Sequence, residues 1–172
     1  MVMPLREQHN LPIFSVLERD NVDFCITSAK HLLYDDSRVQ EGAFSGGLYL
    51  INEDRSDFDL QFEWNLKDQF IEETYSIDLN SQTAKIILNG KPEYLCDKDI
   101  LPDILEYRRR VFGYRSLALI PLISKEGLFG AIVAYVEECE SMDDYLRAWF
   151  EFLAGNLVRC FDGCKGGTQE SN

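Results

Sequence analysis

The sequence predicts a single α+β domain built on a mostly antiparallel sheet. Residues 113–137 read "GYRSLALIPLISKEGLFGAIVAYVE", two apolar runs that do not alternate, so both faces of these two strands must be covered. Amphipathic helical patterns flank the strands at 14–34 and 142–161, and we expect both helices to cover one sheet face. Segment 70–112 is then left for the other face. The length of 172 residues fits one domain.

The first half of the chain predicts a helix followed by a hairpin. Residues 1–13 are expected to form an arm, and the helix over 14–34 follows it. The stretches "GGLYLIN" and "DFDLQFEWN" predict two strands around the turn-rich "EDRS". In the second strand the alternating apolar residues predict one buried and one wet face. These residues are Phe58, Leu60, Phe62 and Trp64.

The second half predicts short elements before the two strong strands. Asn80 or Ser81 can cap a helix that ends before "NG", and the short strand "PEYLCD" follows. Another short helix is expected to begin near Pro102 and to end at Gly113.

A long helix is predicted to close the domain. Ser141 can cap this helix, which covers 142–161. The polar, Gly-rich residues 163–172 are expected to form a flexible tail. The domain therefore spans 14–162.

Charge and composition narrow the classes of partner. The chain has 17 Lys plus Arg and 30 Asp plus Glu, a net charge of −13. Such a field repels polyanions, so we expect neither nucleic acid nor a membrane surface as partner. The sequence contains no 18-residue apolar stretch and no signal peptide, which predicts a cytoplasmic protein. Five cysteines without a C-x-x-C pair and two histidines favour neither a disulfide framework nor a metal site.

Four stretches in a fixed order resemble the GAF domain family over about residues 14–162. They are "GGLYLINED", "SQTAKIILNGKPEYLCD", "YRSLALIPLISKEGLFGAIVAYVE" and "WFEFLAGNLVRCF". The resemblance implies five or six antiparallel strands, with the terminal helices on one face. On the other face it implies a pocket for a small molecule of unknown identity, closed by segment 70–112. The residues expected to line this pocket are Phe62, Trp64, Tyr94, Cys96, Arg108, Phe112, Arg115, Leu117 and Leu119.

Catalytic and cofactor signatures are weak. The sequence lacks phosphate-loop, nucleophile-elbow and zinc-protease motifs, so we expect no enzyme, no catalytic residue and no identifiable cofactor. The resemblance leaves open a free methionine sulfoxide reductase through Cys96, but the His- and Gly-rich stretch of that branch is missing. Cys96 is therefore interpreted as a partly buried thiol. His31 lies on the first helix, where it is expected at a surface or a packing contact instead of as a haem ligand.

Two features keep alternative interpretations open. The arginines of "RRR" at 108–110, with Arg115, could bind a carboxylate or phosphate, or could pair with the abundant acidic residues. Small residues Gly130, Ala131 and Ala134 could allow close helix packing or form the floor of a ligand pocket.

The last helix carries a heptad-like apolar seam, which predicts a homodimer through the terminal helices. Its members are Met142, Leu146, Trp149, Leu153, Asn156 and Cys160. The alternative is that the seam packs on the sheet and on the first helix of its own chain.

Two functional hypotheses follow. In the first, the chain is a sensory or regulatory domain that signals ligand binding through dimerising helices. In the second, it is an interaction module of the same fold that binds no ligand because its own aromatic residues fill the pocket. The candidates for that filling are Phe58, Phe62, Trp64 and Phe112.

Overall fold

The computed structural model describes residues 19–96, 112–137 and 142–166, and every structural statement below concerns these ranges. The helices are α1 (Arg19–Tyr34), α2 (Ser37–Gln40), α3 (Asp68–Thr74), α4 (Gln82–Leu88) and α5 (Asp144–Gly166). The strands are β1 (Ser45–Ile51), β2 (Asp57–Trp64), β3 (Ser76–Asp78), β4 (Glu93–Cys96), β5 (Ser116–Ser124) and β6 (Gly127–Val136).

The six strands form one antiparallel sheet in the order β3-β2-β1-β6-β5-β4. The α+β class and the predicted antiparallel sheet are confirmed. The two strong strands β5 and β6 lie side by side within the sheet, with β1 and β4 as their outer neighbours. They therefore form the ribbon from which both cores are built.

The terminal helices α1 and α5 cover one side of the sheet, here called the back face. The sheet residues of its core are Leu48, Leu50, Phe62, Trp64, Ala118, Ile120, Leu122, Phe129, Ile132 and Ala134. The opposite side, the front face, is covered by α3 and α4. Its sheet residues are Tyr49, Phe58, Ile77, Leu117, Leu119, Leu128, Ala131, Val133 and Tyr135.

The prediction that β5 and β6 are covered on both faces is confirmed. Leu117 and Leu119 belong to the front core, whereas Ala118 and Ile120 belong to the back core, and all four are at most 2% exposed. Alternate side chains of a strand point to opposite faces, so a run of apolar residues without polar ones must be buried twice.

A bulge in β2 overturns the prediction that its four alternating apolar residues share one face. Leu48 pairs with Phe62, but the next residue of β1, Tyr49, pairs with Leu60, so Gln61 is an extra residue in β2. One extra residue moves all following side chains to the other side of the sheet. Leu60, like Phe58, therefore faces the front core, whereas Phe62 faces the back core.

Capping predictions for the helices are met in part. Ser81 caps α4, because its Oγ accepts a hydrogen bond from the Ala84 amide at 3.2 Å, and Gly90 follows with a φ of +77°. At α5 the carboxylate of Asp143 accepts a hydrogen bond from the Leu146 amide at 2.7 Å. Ser141, the predicted cap of that helix, lies outside the described residues.

Three elements were absent from the prediction, namely α2, α3 and β3. All are short: four, seven and three residues. Segments of this length carry little periodicity, so tertiary packing decides whether they form. The predicted helix near Pro102 lies outside the described residues, as do the arm and most of the tail.

Asp36 should contribute stability that disappears in acid. It caps α2, its Oδ1 accepts a hydrogen bond from the Arg38 amide at 2.9 Å, and its Oδ2 lies 2.9 Å from the Arg38 guanidinium. The side-chain hydrogen bond from Arg38 lowers the pKa of Asp36. A lowered folded pKa stabilises the protein above the unfolded pKa, and this gain is lost as the pH falls through the folded pKa. Urea unfolding should show Asp36→Ala about 1 kcal/mol less stable at pH 7, with a smaller difference once the pH falls below the folded pKa of Asp36. A difference independent of pH would contradict the ionic contribution.

Within the described residues, no helix is long and apolar enough to cross a membrane.

Candidate ligand-binding face

The front face has an apolar floor and a helical cover. Leu117 and Leu119 of β5 lie next to Val133 and Tyr135 of β6 in the register of the two strands, and all four are buried. Helix α4 packs over β5. It contributes Ala84, Ile87 and Leu88 to the same core. The aliphatic side chains of α4 therefore cover this part of the sheet.

An aromatic cluster occupies the end of the front face where β5 begins and β6 ends. Phe70 of α3 contacts the rings of Phe112, Tyr114 and Tyr135, with centroid distances of 4.8, 5.2 and 4.9 Å and near-perpendicular planes. Tyr114 and Tyr135 stack at 4.9 Å. Edge-to-face and offset-stacked contacts are the favoured arrangements of aromatic rings. Phe70 therefore holds α3 on the sheet.

Two buried tyrosine hydroxyls on this face differ in their partners. The hydroxyl of Tyr49 donates a hydrogen bond to the carbonyl oxygen of Thr74 at 2.8 Å. The hydroxyl of Tyr114 is buried and has no hydrogen-bond partner in the described part of the chain. A buried donor without a partner costs about 1–3 kcal/mol. Among the described residues of the front face, Tyr114 is thus the one with a buried side-chain donor that has no hydrogen-bond acceptor.

Lys67 brings a positive charge to the edge of the aromatic cluster. Its Nζ donates a hydrogen bond to the carbonyl oxygen of Phe112 at 2.5 Å and lies 5.5 Å from the centre of the Tyr114 ring. The carboxylate of Glu137 is 3.7 Å away, and both side chains are more than half exposed. Such an exposed ion pair is weak, so the ammonium group remains available to an anionic or acceptor group.

The structure separates the residues predicted to line the pocket. Phe112, Leu117 and Leu119 do lie together on the front face. Phe62 and Trp64 lie on the back face, where the β2 bulge turns them. Trp64 Nε1 is buried there without a hydrogen-bond partner among the described residues.

Three further predicted residues lie elsewhere. Tyr94 packs on the back face, its hydroxyl donates a hydrogen bond to the carbonyl oxygen of Arg147 at 3.2 Å, and burial raises its pKa. Cys96, two residues on in β4, shares that side by alternation and is buried. Arg115 lies just before β5 and is half-buried. Arg108 lies outside the described residues.

Sequence reasoning missed Lys67, Phe70, Tyr114 and Tyr135. Phe70 lies in a helix too short to predict, and the sequence marks Tyr135 only as part of an apolar strand. Tyr114 could have been found from its position two residues before β5, a strand that is buried on both faces. A tyrosine at such a position buries its ring, and its hydroxyl then needs a hydrogen-bond partner inside the protein.

Most of the predicted dimer seam faces the chain's own core. Met142 and Leu153 are buried in the back core, and Leu146, Trp149 and Cys160 pack against it. The side chain of Asn156 donates a hydrogen bond to the carbonyl oxygen of Phe152 in its own helix at 3.0 Å. The alternative, packing on the sheet and on α1, therefore accounts for these five apolar residues, and the homodimer stays a prediction.

His31 is exposed near the end of α1, on the back-face helix. The described residues contain no group of three or more His, Cys, Asp or Glu side chains that could hold a metal ion.

The chain is an α+β domain in which one six-stranded antiparallel sheet has its two terminal helices on one face. Within that class the chain has the fold of GAF domains, because solved structures of GAF domains match it over 80–90% of its length. The GAF domain of a phosphoenolpyruvate-protein phosphotransferase from Coxiella burnetii matches with a TM-score of 0.61 and 16% identity, covering 88% of this chain and 94% of that one. No family model and no curated protein matches the sequence.

The same fold includes enzymes. A free methionine-R-sulfoxide reductase from Neisseria meningitidis, solved with its substrate, matches with a TM-score of 0.58 and 16% identity over 91% of this chain and 98% of that one. A type II reductase from Thermoplasma acidophilum matches with a TM-score of 0.59 and 11% identity over 80% and 93%. The prediction that the chain is not an enzyme is therefore wrong, because its fold is shared with these reductases.

Proposed function

We propose that this chain is a regulatory domain that binds a small molecule on the front face and transmits binding to its terminal helices. The observation that carries the proposal is the buried hydroxyl of Tyr114, which has no acceptor among the described residues. The likeness in fold to a domain of a two-component sensor histidine kinase protein from Sinorhizobium meliloti, with a TM-score of 0.55 and 11% identity, agrees with this function.

The surroundings of Tyr114 indicate the chemistry of the ligand. Rings of Phe70, Phe112 and Tyr135 surround its side chain, which favours a flat or apolar body. The hydroxyl calls for an acceptor oxygen or nitrogen. Lys67, whose ammonium lies 5.5 Å from the centre of the Tyr114 ring, favours a partial or full negative charge on that acceptor. We therefore propose a small aromatic or apolar metabolite with one acceptor group.

The premise is tested by two tyrosine variants of matched chemistry. Tyr114→Phe removes a hydroxyl without a partner, so urea unfolding of the ligand-free protein should show a gain of about 1 kcal/mol. Tyr49→Phe deprives the Thr74 carbonyl of its donor, and a loss of about 1 kcal/mol is expected. If Tyr114→Phe destabilises the protein as much as Tyr49→Phe, the hydroxyl has an acceptor in solution and the premise fails.

Binding itself is tested by thermal shift against a metabolite library. A compound class that raises the melting temperature of the wild type should bind Tyr114→Phe about tenfold more weakly, since a lost hydrogen bond costs roughly 1.4 kcal/mol. Tyr49→Phe should keep the wild-type affinity. Stabilisation that survives in Tyr114→Phe would place the ligand elsewhere.

A second candidate, the interaction module without a ligand, is favoured by the close contacts of the aromatic cluster. Three rings already meet around Phe70, and Phe58 is also buried in the front core. Of the residues predicted to fill the pocket, Phe58 and Phe112 lie on this face. Silence of the wild type across the library, together with a stabilised Tyr114→Phe, would support the module.

Because reductases share the fold, enzymatic activity toward free methionine-R-sulfoxide should also be measured. Purified chain should be assayed for reduction of free methionine-R-sulfoxide, with Cys96→Ser as the paired variant. Activity that depends on Cys96 would assign the chain to the enzymes instead of the sensors.

Homodimerisation remains part of the proposal, through the outer sides of the terminal helices. Phe24 of α1 and Tyr145 and Phe152 of α5 are 62%, 72% and 55% exposed. Sedimentation equilibrium should give a dimer that Phe152→Glu weakens at least tenfold, because the charge would be buried at the interface. A wild type that stays monomeric at all concentrations would remove the dimer from the proposal.

A further inference from the structure

Cys25 of α1 and Cys160 of α5 face each other between the two helices that cover the back face. Their Sγ atoms lie 2.6 Å apart, although 135 residues separate them in the sequence. Cys25 is completely buried, whereas Cys160 is half-buried at the edge of the same core. The pair thus consists of one inner and one outer thiol.

The helices that carry the two thiols run antiparallel. Cys25, in the first half of α1, meets Cys160, in the second half of α5. Arg38, which follows α1, lies over the rings of Tyr145 and Trp149 at the start of α5. The chain just after α1 therefore contacts the start of α5, while Cys25 contacts the second half of α5, as expected for an antiparallel helix pair.

We propose that Cys25 and Cys160 form a reversible disulfide, a modification site that ties α1 to α5. A disulfide has an S–S distance of 2.03–2.05 Å, so the sulfur atoms need to approach by only about 0.5 Å. A movement of this size is within reach of side-chain rotation in a packed helix pair. The site lies on the opposite side of the sheet from the front face and does not depend on the proposed function.

The oxidant required is a hydroperoxide. The thiolate of Cys160, which solvent can reach, attacks one peroxide oxygen; an S–O bond forms, the O–O bond breaks, and the released alkoxide takes a proton to leave as an alcohol. The thiolate of Cys25 then attacks the sulfenic sulfur of Cys160. The S–S bond forms and the S–O bond breaks, so hydroxide leaves as water with the proton that Cys25 gave up. In sum, two thiols lose two electrons and two protons, and an organic hydroperoxide becomes an alcohol and water, whereas hydrogen peroxide becomes two molecules of water.

Oxidation would change the mobility of the helix pair more than its position. The bridge closes a loop that spans most of the domain, and a long loop restricts the unfolded chain strongly. The melting temperature should therefore rise by roughly 5–10 °C on oxidation and return on reduction with dithiothreitol. Relative sliding of α1 and α5 would also be blocked.

The test uses the full chain and hydrogen peroxide. Reduced protein is treated with peroxide at stoichiometric amounts, the remaining thiols are alkylated, and peptides are mapped by mass spectrometry without reduction. We expect one linked peptide pair that joins Cys25 to Cys160, with a mass lower by two hydrogen atoms and with Cys96 alkylated. Dithiothreitol should restore alkylation at both sites.

Two serine variants separate this pair from the other cysteines. Cys96→Ser should keep the linked peptide and the thermal shift. Cys160→Ser, at the half-buried position, should lose both, and its folding is checked by circular dichroism before oxidation.

Peptide mapping of the oxidised wild type tests the proposal even if Cys160→Ser fails to fold. A Cys25–Cys160 link inside one chain supports the proposal. It is overturned if Cys160 pairs with Cys139, with Cys164 or with a second chain. It is also overturned if Cys25 and Cys160 remain alkylated while the peroxide is consumed at other sites.

Discussion

Gly130→Ala is expected to destabilise the protein by about 3 kcal/mol, at the upper end of the usual cost of overpacking. Gly130 lies in β6 between Leu50 of β1 and Leu122 of β5. An added Cβ would overlap the carbonyl oxygen of Tyr49 and lie 2.8 Å from Leu50 Cδ2 and 3.4 Å from Leu50 Cα. A backbone oxygen inside a sheet cannot rotate away, so β1 and β6 would have to separate.

The matched control for this change is Gly163→Ala in α5. Among the described residues, and apart from the backbone of its own helix, a Cβ added at Gly163 would meet no atom within 4 Å. Because alanine is the better helix former, this variant should gain up to about 1 kcal/mol. The same chemical change is therefore expected to have opposite signs in urea unfolding at the two positions. Equal effects would mean that β1 does not approach Gly130 as closely as described.

Gly130 also illustrates why the small residues of β6 were hard to interpret. Their pattern suggested either close helix packing or the floor of a ligand pocket. The structure gives a separate answer for each residue: the neighbouring strand approaches Gly130, Ala131 belongs to the front core, and Ala134 belongs to the back core. A small residue in a strand indicates that another group approaches closely, but only the tertiary structure shows which group it is.

The sheet could be predicted where the pattern was continuous, and could not where one residue broke the register. Residues 117–122 are apolar throughout, so burial on both faces follows whatever the register. In β2 the side of Phe62 and Trp64 depends on Gln61, which looks like any other polar residue of an alternating strand. A bulge is set by pairing with β1, and the sequence of one strand does not contain it.

The candidate site was predicted in outline only. The front face, with Phe112, Leu117 and Leu119, followed from the expected layers of the fold. The hydroxyl of Tyr114 could not be predicted, because lacking a partner is a property of everything packed around it. Sequence gives the donor, and the structure gives its surroundings.

The two proposals concern opposite faces of the β5–β6 ribbon but the same pair of helices, α1 and α5. A ligand near Tyr114 would act through the sheet, whose residues alternate between the cores at Leu117 and Ala118. The dithiol of Cys25 and Cys160 would act on the helix pair directly. If both proposals hold, oxidation and ligand binding should each change the affinity or rate of the other, because both bias the same helices.

Phe70→Ala is expected to cost about 3–5 kcal/mol, the largest effect of a single front-face truncation that we predict. Phe70 is 1% exposed and makes edge-to-face contacts with Phe112, Tyr114 and Tyr135. Its removal leaves a cavity beneath α3, and the three neighbouring rings lose the ring that all of them contact. Since domains are stable by about 5–15 kcal/mol, urea unfolding should show a large drop in midpoint.

Tyr75→Ala is the control for Phe70→Ala, because Tyr75 directly follows the same helix with its side chain 65% exposed. Its truncation removes an aromatic ring that is not buried, so the free energy of unfolding should change by no more than about 0.5 kcal/mol. Fluorescence of Trp64 and Trp149, both on the back face, should remain native in folded Phe70→Ala if the damage is confined to the front. A Phe70→Ala chain as stable as Tyr75→Ala would mean that α3 does not close the front face, and the site proposed around Tyr114 would lose its wall.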